Sequence, residues 1–409
     1  MSKTKNLKIV KTINTKDYHF DYIDIQYDNT IISPIVEIYR WEMFNRLKNH
    51  IKSVFIKYKL KPSKKSLDRH MNNILVRLVF EGFAQGKISH LRDGLFNIMK
   101  SSNSLKNDIK YCFTYLPNQT DEFRTQIYNE INLEGQIDKI INNIQQFSKT
   151  IKLDHVQKKY KYKLQKKKTG KKITSIHLIV NNFPIKSYIP TAVYNKLKRR
   201  FVEYFKSNSK NNPDLKKLKC DELITCIMIR YATIQSMGNQ MGIPIPAKQQ
   251  FRKCGINFEG FASSLNHYYK YYCSMFYDLE KYFGSLGSFM NITYKRGLYM
   301  HNPPYEKKLL YNMVKIISES LEESDAQMCF YFGAPIWSHY PEYTLPDIVH
   351  NSKFFKKEIF LPDQQFPWYD FIKESYATIP KSVRYIMANY YINIKCLKDS
   401  TEYWGKIRH

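Results

Sequence analysis

The run best suited to chemistry in this chain is Asn302-Pro303-Pro304-Tyr305, which follows the apolar segment Leu298-Tyr299-Met300-His301 and precedes a helix-patterned stretch from Glu306 to Ser320. Two prolines fix φ and carry no N–H, so they end a strand and hold its last side chain and carbonyls at the carboxyl edge of a sheet. Ligands bind at that edge in α/β folds. Two acceptors there, the Asn302 side-chain oxygen and the Pro303 carbonyl, suit an exocyclic aromatic amine such as N6 of adenine. That nitrogen is a poor nucleophile because its lone pair is delocalised into the ring. Accepting both of its protons pulls it toward a pyramidal geometry and aims the lone pair at a sulfonium methyl. Tyr305 would stack on the base, a contact worth about 1–3 kcal/mol. Taken alone the tetrapeptide is equally an ordinary turn, so its surroundings must decide.

The 409 residues leave room for two or three domains, and the 43% hydrophobic and 15% aromatic content exclude a disordered chain. The net charge of +29 is unevenly spread: residues 1–220 hold 44 Lys+Arg against 18 Asp+Glu, whereas residues 221–409 hold 21 against 18. A one-sided excess of this size is the footprint of a polyanionic partner, nucleic acid ahead of an acidic membrane. Seven cysteines without a C-x-x-C pair predict a reducing compartment and no metal site, with Cys220 and Cys226 packing on a helix face. The N-terminus lacks an apolar signal core and no run reaches membrane-spanning length. These features predict an intracellular monomer, nuclear or cytoplasmic, without a membrane partner.

The elements that must position the tetrapeptide follow from periodicity. Residues 1–35 are polar and β-leaning, and predict an arm that contributes little to the core. Trp41, Phe44, Leu47, Ile51 and Phe55 form one helical stripe. A second helix runs from Ser66 toward Gly82, and a third from the N-cap Thr120 to Phe147. Lys158–Lys172 holds nine lysines and predicts a mobile basic loop or a solvated hairpin tip. Ile173–Val180 and Phe183–Ile189 predict a hairpin, and Thr191 opens an amphipathic helix. The polar segment Ser207–Asp214 is the clearest boundary. Beyond it, a helix at Leu218–Met237, a buried strand at Ile256–Phe261, a small-residue turn and a helix at His267–Tyr277 predict the opening of a nucleotide-binding unit, without its usual glycines. Strands at Met328–Phe332, Phe354–Leu361 and Tyr390–Leu397, alternating with helices, complete a mostly parallel sheet. The expectation is therefore an α/β protein: an arm (1–35), a mostly helical basic ancillary domain (36–206), and a Rossmann-like, doubly wound methyltransferase domain (215–409).

Phe258-Glu259-Gly260-Phe261-Ala262-Ser263-Ser264-Leu265-Asn266, then Tyr282-Phe283-Gly284-Ser285, Asn302-Pro303-Pro304-Tyr305 and Pro335-Ile336-Trp337 resemble, in order and spacing, the phosphorylated-CTD-interacting-factor family of cap-specific adenosine N6-methyltransferases. The resemblance covers about Leu218 to Ser400. It implies S-adenosyl-L-methionine as cofactor and the capped 5′ end of mRNA as partner, the acceptor being N6 of a cap-adjacent 2′-O-methyladenosine. By position it implies that Asn302, Pro303, Pro304 and Tyr305 hold adenine and methyl donor. Phe261, Ala262, Ser263 and Asn266 would line the donor pocket, with Asp278 or Glu280 near the ribose. Glu306, Pro335, Trp337, Ser338 and His339 would face the capped substrate. Outside the stretch the resemblance covers, the basic helical domain offers Arg40, Arg46, Arg69 and Arg77, whose planar forks suit the oxygens of the triphosphate. Ser264 stands where the family has proline, Ile336 where it has an acidic residue, and Tyr305 where it has phenylalanine. Nothing matches the WW module of the animal members, so recruitment to a phosphorylated polymerase tail is not carried over. Two other readings stay open: an N6-methyltransferase for internal RNA or DNA adenine, and a catalytically silent RNA-binding subunit.

Overall fold

The computed structural model describes residues 8–25, 32–59, 67–84, 95–100, 121–170, 172–210, 213–234, 240–337, 342–363, 365–378, 381–390 and 393–407. In chain order the main elements are β1 (Lys8–Asn14), β2 (His19–Ile25), α1 (Pro34–Lys57), α2 (Leu67–Ala84), α3 (Asp121–Ile131), α4 (Leu133–Ser148), β3 (Tyr162–Thr169), β4 (Lys172–Val180), β5 (Ser187–Pro190), α5 (Thr191–Asn208), α6 (Cys220–Thr233), β6 (Met241–Gly242), α7 (Ile245–Lys253), β7 (Phe258–Glu259), β8 (Tyr271–Tyr272), β9 (Ile292–His301), α8 (Lys307–Glu323), β10 (Met328–Pro335), β11 (Phe355–Leu361), β12 (Pro367–Asp370), β13 (Ser375–Thr378), β14 (Ser382–Ala388) and α9 (Ile394–Gly405). They form two compact units: Met1–Gln26 with Ala192–Ser207 and Met237–His409, and Tyr27–Thr191 with Asn208–Ser236.

The second of these units is mostly helical. Phe44, Leu47, Ile51 and Phe55 of α1 are buried as their spacing predicts, while Trp41 at the head of the stripe is half-buried. The predicted third helix is two, because Asn132 takes a left-handed φ of 43° and its side chain then caps α4 by accepting the Gly135 N–H. The lysine run is no mobile loop: most of it is strand β3, whose outer half is exposed and runs to the tip of the antiparallel β3–β4 hairpin, where Thr169 pairs with Lys172, in agreement with the hairpin-tip reading; β5 completes the sheet β3-β4-β5. The predicted hairpin is the β4–β5 pair. The polar segment expected to divide the chain separates α5, which belongs to the other unit, from α6, whose apolar residues Leu223, Ile224, Ile227 and Met228 are buried in this one.

The other unit is α/β, built on an eight-stranded mixed sheet in the order β1-β2-β9-β10-β14-β11, with β7 paired to β9 and β8 to β7. Strands β8, β7, β9 and β10 are mutually parallel, and β14 is antiparallel to both β10 and β11. The sheet is thus less parallel than the sequence suggests. The N-terminal segment is no loose arm: β2 pairs antiparallel with β9, and Tyr18 and Phe20 are fully buried. Two further expectations are corrected. His267–Tyr277 is not a helix but a turn leading into β8, and the last strand is Ser382–Ala388, while Ile394–Gly405 is helix α9, capped by Asn393 accepting the Cys396 N–H. Cys254 and Cys396, which the sequence reading left as thiols, form a disulfide joining the ends of α7 and α9. One face of the sheet packs on these two helices through Leu298, Met300, Cys329, Tyr331, Ile386 and Trp404. Among the described residues no helix is long and apolar enough to cross a membrane, and no group of three or more His, Cys, Asp or Glu is placed to hold a metal ion.

Candidate active site

Strands β7 and β9 are parallel neighbours, with Glu259 beside Met300, and the Gly260 N–H donates to the Met300 carbonyl. Their carboxyl ends therefore open at one edge, where Phe261–Asn266 and Asn302–Tyr305 leave the sheet. This approach requires glycine: a Cβ on Gly260 would stand 1.8 Å from the His301 ring. Asn302 and Tyr305 are half-buried and Pro303 is buried. The Asn302 Oδ1 and the Tyr305 hydroxyl are both shielded from solvent and have no hydrogen-bond partner among the described residues. An unpaired buried acceptor costs about 1–3 kcal/mol, so its retention at this edge points to a ligand that supplies the missing N–H.

The loop after β7 is held from within. The Ser263 N–H donates to the Asn266 Oδ1 at 2.7 Å and the Ser263 hydroxyl to the Gln240 Oε1 at 2.6 Å. Glu280 accepts the N–H groups of Ser264 and Phe276, so its carboxylate fastens the loop rather than facing outward. Phe261 and Ala262 are half-buried, and the Phe261 ring lies 4.3 Å from that of Phe289. Asp278 is half-buried two residues before Glu280. Sequence reasoning missed Gln240 and the buried pair of Lys248 with Glu259, whose second oxygen accepts the Tyr268 N–H. The Glu259-Gly260 step at the end of a short strand was the available signal.

On the substrate side the outcome is mixed. Glu306 caps α8, accepting the N–H groups of Lys308 and Leu309, a role its position before a helix accounts for. Pro335 is buried at the end of β10, and the Trp337 ring lies 4.8 Å from that of Tyr343. Ser338 and His339 lie outside the described residues. In the other unit Arg40 is buried and paired with Glu37, which removes it as a phosphate ligand, and Arg46 is exposed and paired with Glu42. Arg69 and Arg77 stand on α2, and their side chains lie outside the description.

One residue went unnoticed in the sequence. Arg384 on β14 is fully buried, and none of its guanidinium nitrogens has a hydrogen-bond partner among the described residues. Its Cζ lies 5.1 Å from the Trp404 ring centre, 5.4 Å from Trp368 and 5.9 Å from Tyr331. Each such contact is worth about 0.5–2 kcal/mol. Desolvating the charge costs several kcal/mol, and the unmade hydrogen bonds add to that. The aromatic box therefore offsets only part of the cost.

His301, stacked on Phe330 at 5.5 Å, is likewise buried without a hydrogen-bond partner among the described residues, and burial pushes its imidazole down to about 3. A histidine held neutral stabilises the fold fully above its unfolded value of about 6.5, and that contribution is lost as the pH falls toward 3. Between pH 6.5 and 5 the loss amounts to about 2 kcal/mol. Melting curves should therefore fall more steeply with acid for the native protein than for His301→Asn; parallel curves would refute the neutral buried ring.

Residues 196–370 match the family model described as the phosphorylated CTD interacting factor 1 WW domain. Two proteins named mRNA (2'-O-methyladenosine-N(6)-)-methyltransferase align over 146 residues, or 34% of this chain: that of Mus musculus at 31% identity and that of Homo sapiens at 30%. The aligned stretch spans about a fifth of those relatives, 20% and 21% of their lengths.

Proposed function

We propose that the chain is a member of the phosphorylated-CTD-interacting-factor family, whose model residues 196–370 match, and that it methylates N6 of the 2′-O-methyladenosine next to an N7-methylguanosine cap on mRNA. The observation that carries this reading is the buried Asn302 Oδ1, without a partner among the described residues, at the carboxyl end of β9, followed by two prolines and an aromatic ring. The sheet also grows in opposite directions from the β7–β9 pair, and in doubly wound sheets ligands bind at a reversal of this kind.

The donor-side residues fit an adenosyl sulfonium compound. Phe261 offers a half-buried ring, Asp278 a carboxylate for ribose hydroxyls, and Asn302 an acceptor, while the N–H groups of Ser263 and Ser264 are already engaged within the loop. S-adenosylmethionine, when bound, supplies the electrophilic methyl group. Asn302 Oδ1 and the Pro303 carbonyl accept the two amino protons of the base and direct its lone pair, and Tyr305 stacks on the ring. The extra proton leaves to solvent after transfer, so no strong base is needed. Trp337 and Tyr343 offer aromatic faces to the cationic cap guanine.

The deciding experiment uses purified protein, labelled S-adenosylmethionine and RNAs that differ only in cap and first nucleotide. Label confined to capped, adenosine-first RNA supports the proposal. Equal label on uncapped RNA or on DNA would make internal adenine the substrate, and binding without label would mark a silent RNA-binding subunit. The exposed lysines of β3 should supply affinity without chemistry. Replacing Lys166, Lys167 and Lys168 by serine should reduce the log–log salt slope of RNA binding by up to about 2, at about 0.7 for each phosphate released. An unchanged slope would remove the strand from the RNA site.

A further inference from the structure

Arg384 and Asn302 stand in one row. Strand β9 pairs with β10 in parallel up to His301 beside Phe332, so Asn302 follows at the level of Gly333, and Gly333 pairs with Arg384 on β14. Tyr331, Met300 and Ile386 share one face of the sheet, and Gly333 and Arg384 continue it by strand alternation. Gly333 leaves the space the guanidinium occupies: a Cβ there would lie 2.2 Å from an Arg384 nitrogen. The cation thus reaches over β10 toward β9. Ser382 Oγ and Trp368 Nε1 are also buried and have no hydrogen-bond partner among the described residues, the first two residues from Arg384 on the same face and the second in its aromatic box. At this end of the sheet, then, an acceptor at Asn302 and donors at Arg384 stand in one row with β10 between them, and neither has a hydrogen-bond partner among the described residues.

The ligand that satisfies both carries a donor beside an acceptor. An adenine edge does so: the amino group is flanked by the ring nitrogens N1 and N7, and N7 with the amino group is the pair its Hoogsteen edge presents. The side of approach agrees, because the loops after β7 and β8 lie on one side of Asn302 in the sheet order and Arg384 on the other. A donor bound on the first side leaves the second to the methyl acceptor.

We propose that Arg384 donates to the ring nitrogen of the acceptor adenine, N1 or N7, next to the amino group that Asn302 holds, and so fixes the base for transfer. This rests on the methyltransfer reading, whose own test is turnover on unmodified adenosine-first RNA. The test here is a ratio: kcat/KM on that RNA against RNAs carrying 1-deazaadenosine or 7-deazaadenosine at the same position, for the native protein and for Arg384→Met. One of the two analogues should cost the native protein about 10- to 100-fold. Arg384→Met should lose a similar factor on adenosine and show no further loss on that analogue, while its melting temperature is maintained, since an unpaired buried charge has been removed. Native turnover indifferent to both analogues overturns the proposal, whatever the variant does. So does an analogue penalty that persists in Arg384→Met, which would place the guanidinium on a phosphate or another group. Absence of native turnover on adenosine refutes instead the reading beneath it.

Discussion

Asn302→Ala should lower kcat by about 10²–10³-fold while leaving the melting temperature and the binding of S-adenosylhomocysteine nearly unchanged. The size follows from removing one preorganised hydrogen-bond group that acts on the changing charge in the transition state, about 2.7–4 kcal/mol. The unchanged stability follows from this structure: among the described residues Oδ1 has no partner to lose, and removing an unsatisfied buried oxygen costs no native hydrogen bond. A functional loss separated from stability is what distinguishes an acceptor for substrate from a turn-forming asparagine. A structural asparagine would show the reverse, with normal turnover and a lower melting temperature. Tyr305 divides in the same way. Its hydroxyl is buried without a partner among the described residues, so Tyr305→Phe should keep most activity and Tyr305→Ala should lose it with the stacking surface. Equal loss in both would assign the role to the hydroxyl.

What could be read beforehand depended on how local the signal was. The α1 stripe, the end of β9 at Asn302 and the helix after Glu306 are written in consecutive residues, by periodicity and by proline. The segment from Gly260 to Tyr277 misleads because Tyr268, Tyr269, Tyr271 and Tyr272 satisfy a helical pattern. The backbone N–H groups of Ser264 and Tyr268 go instead to the distant carboxylates of Glu280 and Glu259. No window of a dozen residues contains that competition. Arg384 was missed for a related reason. An arginine within Val383-Arg384-Tyr385 marks a solvent face only when one face of the sheet is bare, and here β12, α7 and α9 cover it. Tyr18 and Phe20 sit in a polar stretch, and only their pairing to β9 and the Tyr18 hydroxyl donating to the Leu298 carbonyl draw them into the core. The cation excess of the first half was legible, but which cations face outward was not: Arg40 is inside and the lysines of β3 are outside.

Glu37→Ala should lower the stability of the helical unit by about 3–5 kcal/mol, the usual consequence of removing one partner from a buried ion pair. Glu37, Arg40 and Arg230 are 0%, 2% and 1% exposed. The Glu37 Oε1 accepts from Arg230 NH2 at 2.6 Å and from Arg40 NH1 at 2.5 Å, and Oε2 accepts from Arg230 Nε at 2.8 Å. Alanine would deprive both guanidinium groups of this carboxylate in the core of α1 and α6. Since a domain is stable by only about 5–15 kcal/mol, the loss would shift the denaturation midpoint far. Replacing all three by apolar residues of similar volume should recover most of it, because desolvation of the ions is then avoided as well. Single arginine changes should not add up to that result. A Glu37→Ala midpoint near the native one would mean that neighbouring groups already neutralise both cations. The same variant bears on function, because strand β3 belongs to this unit. Above its lowered midpoint, salt-dependent RNA binding should disappear together with helical signal, and retention of that binding by the unfolded unit would transfer the RNA site to the sheet-bearing unit.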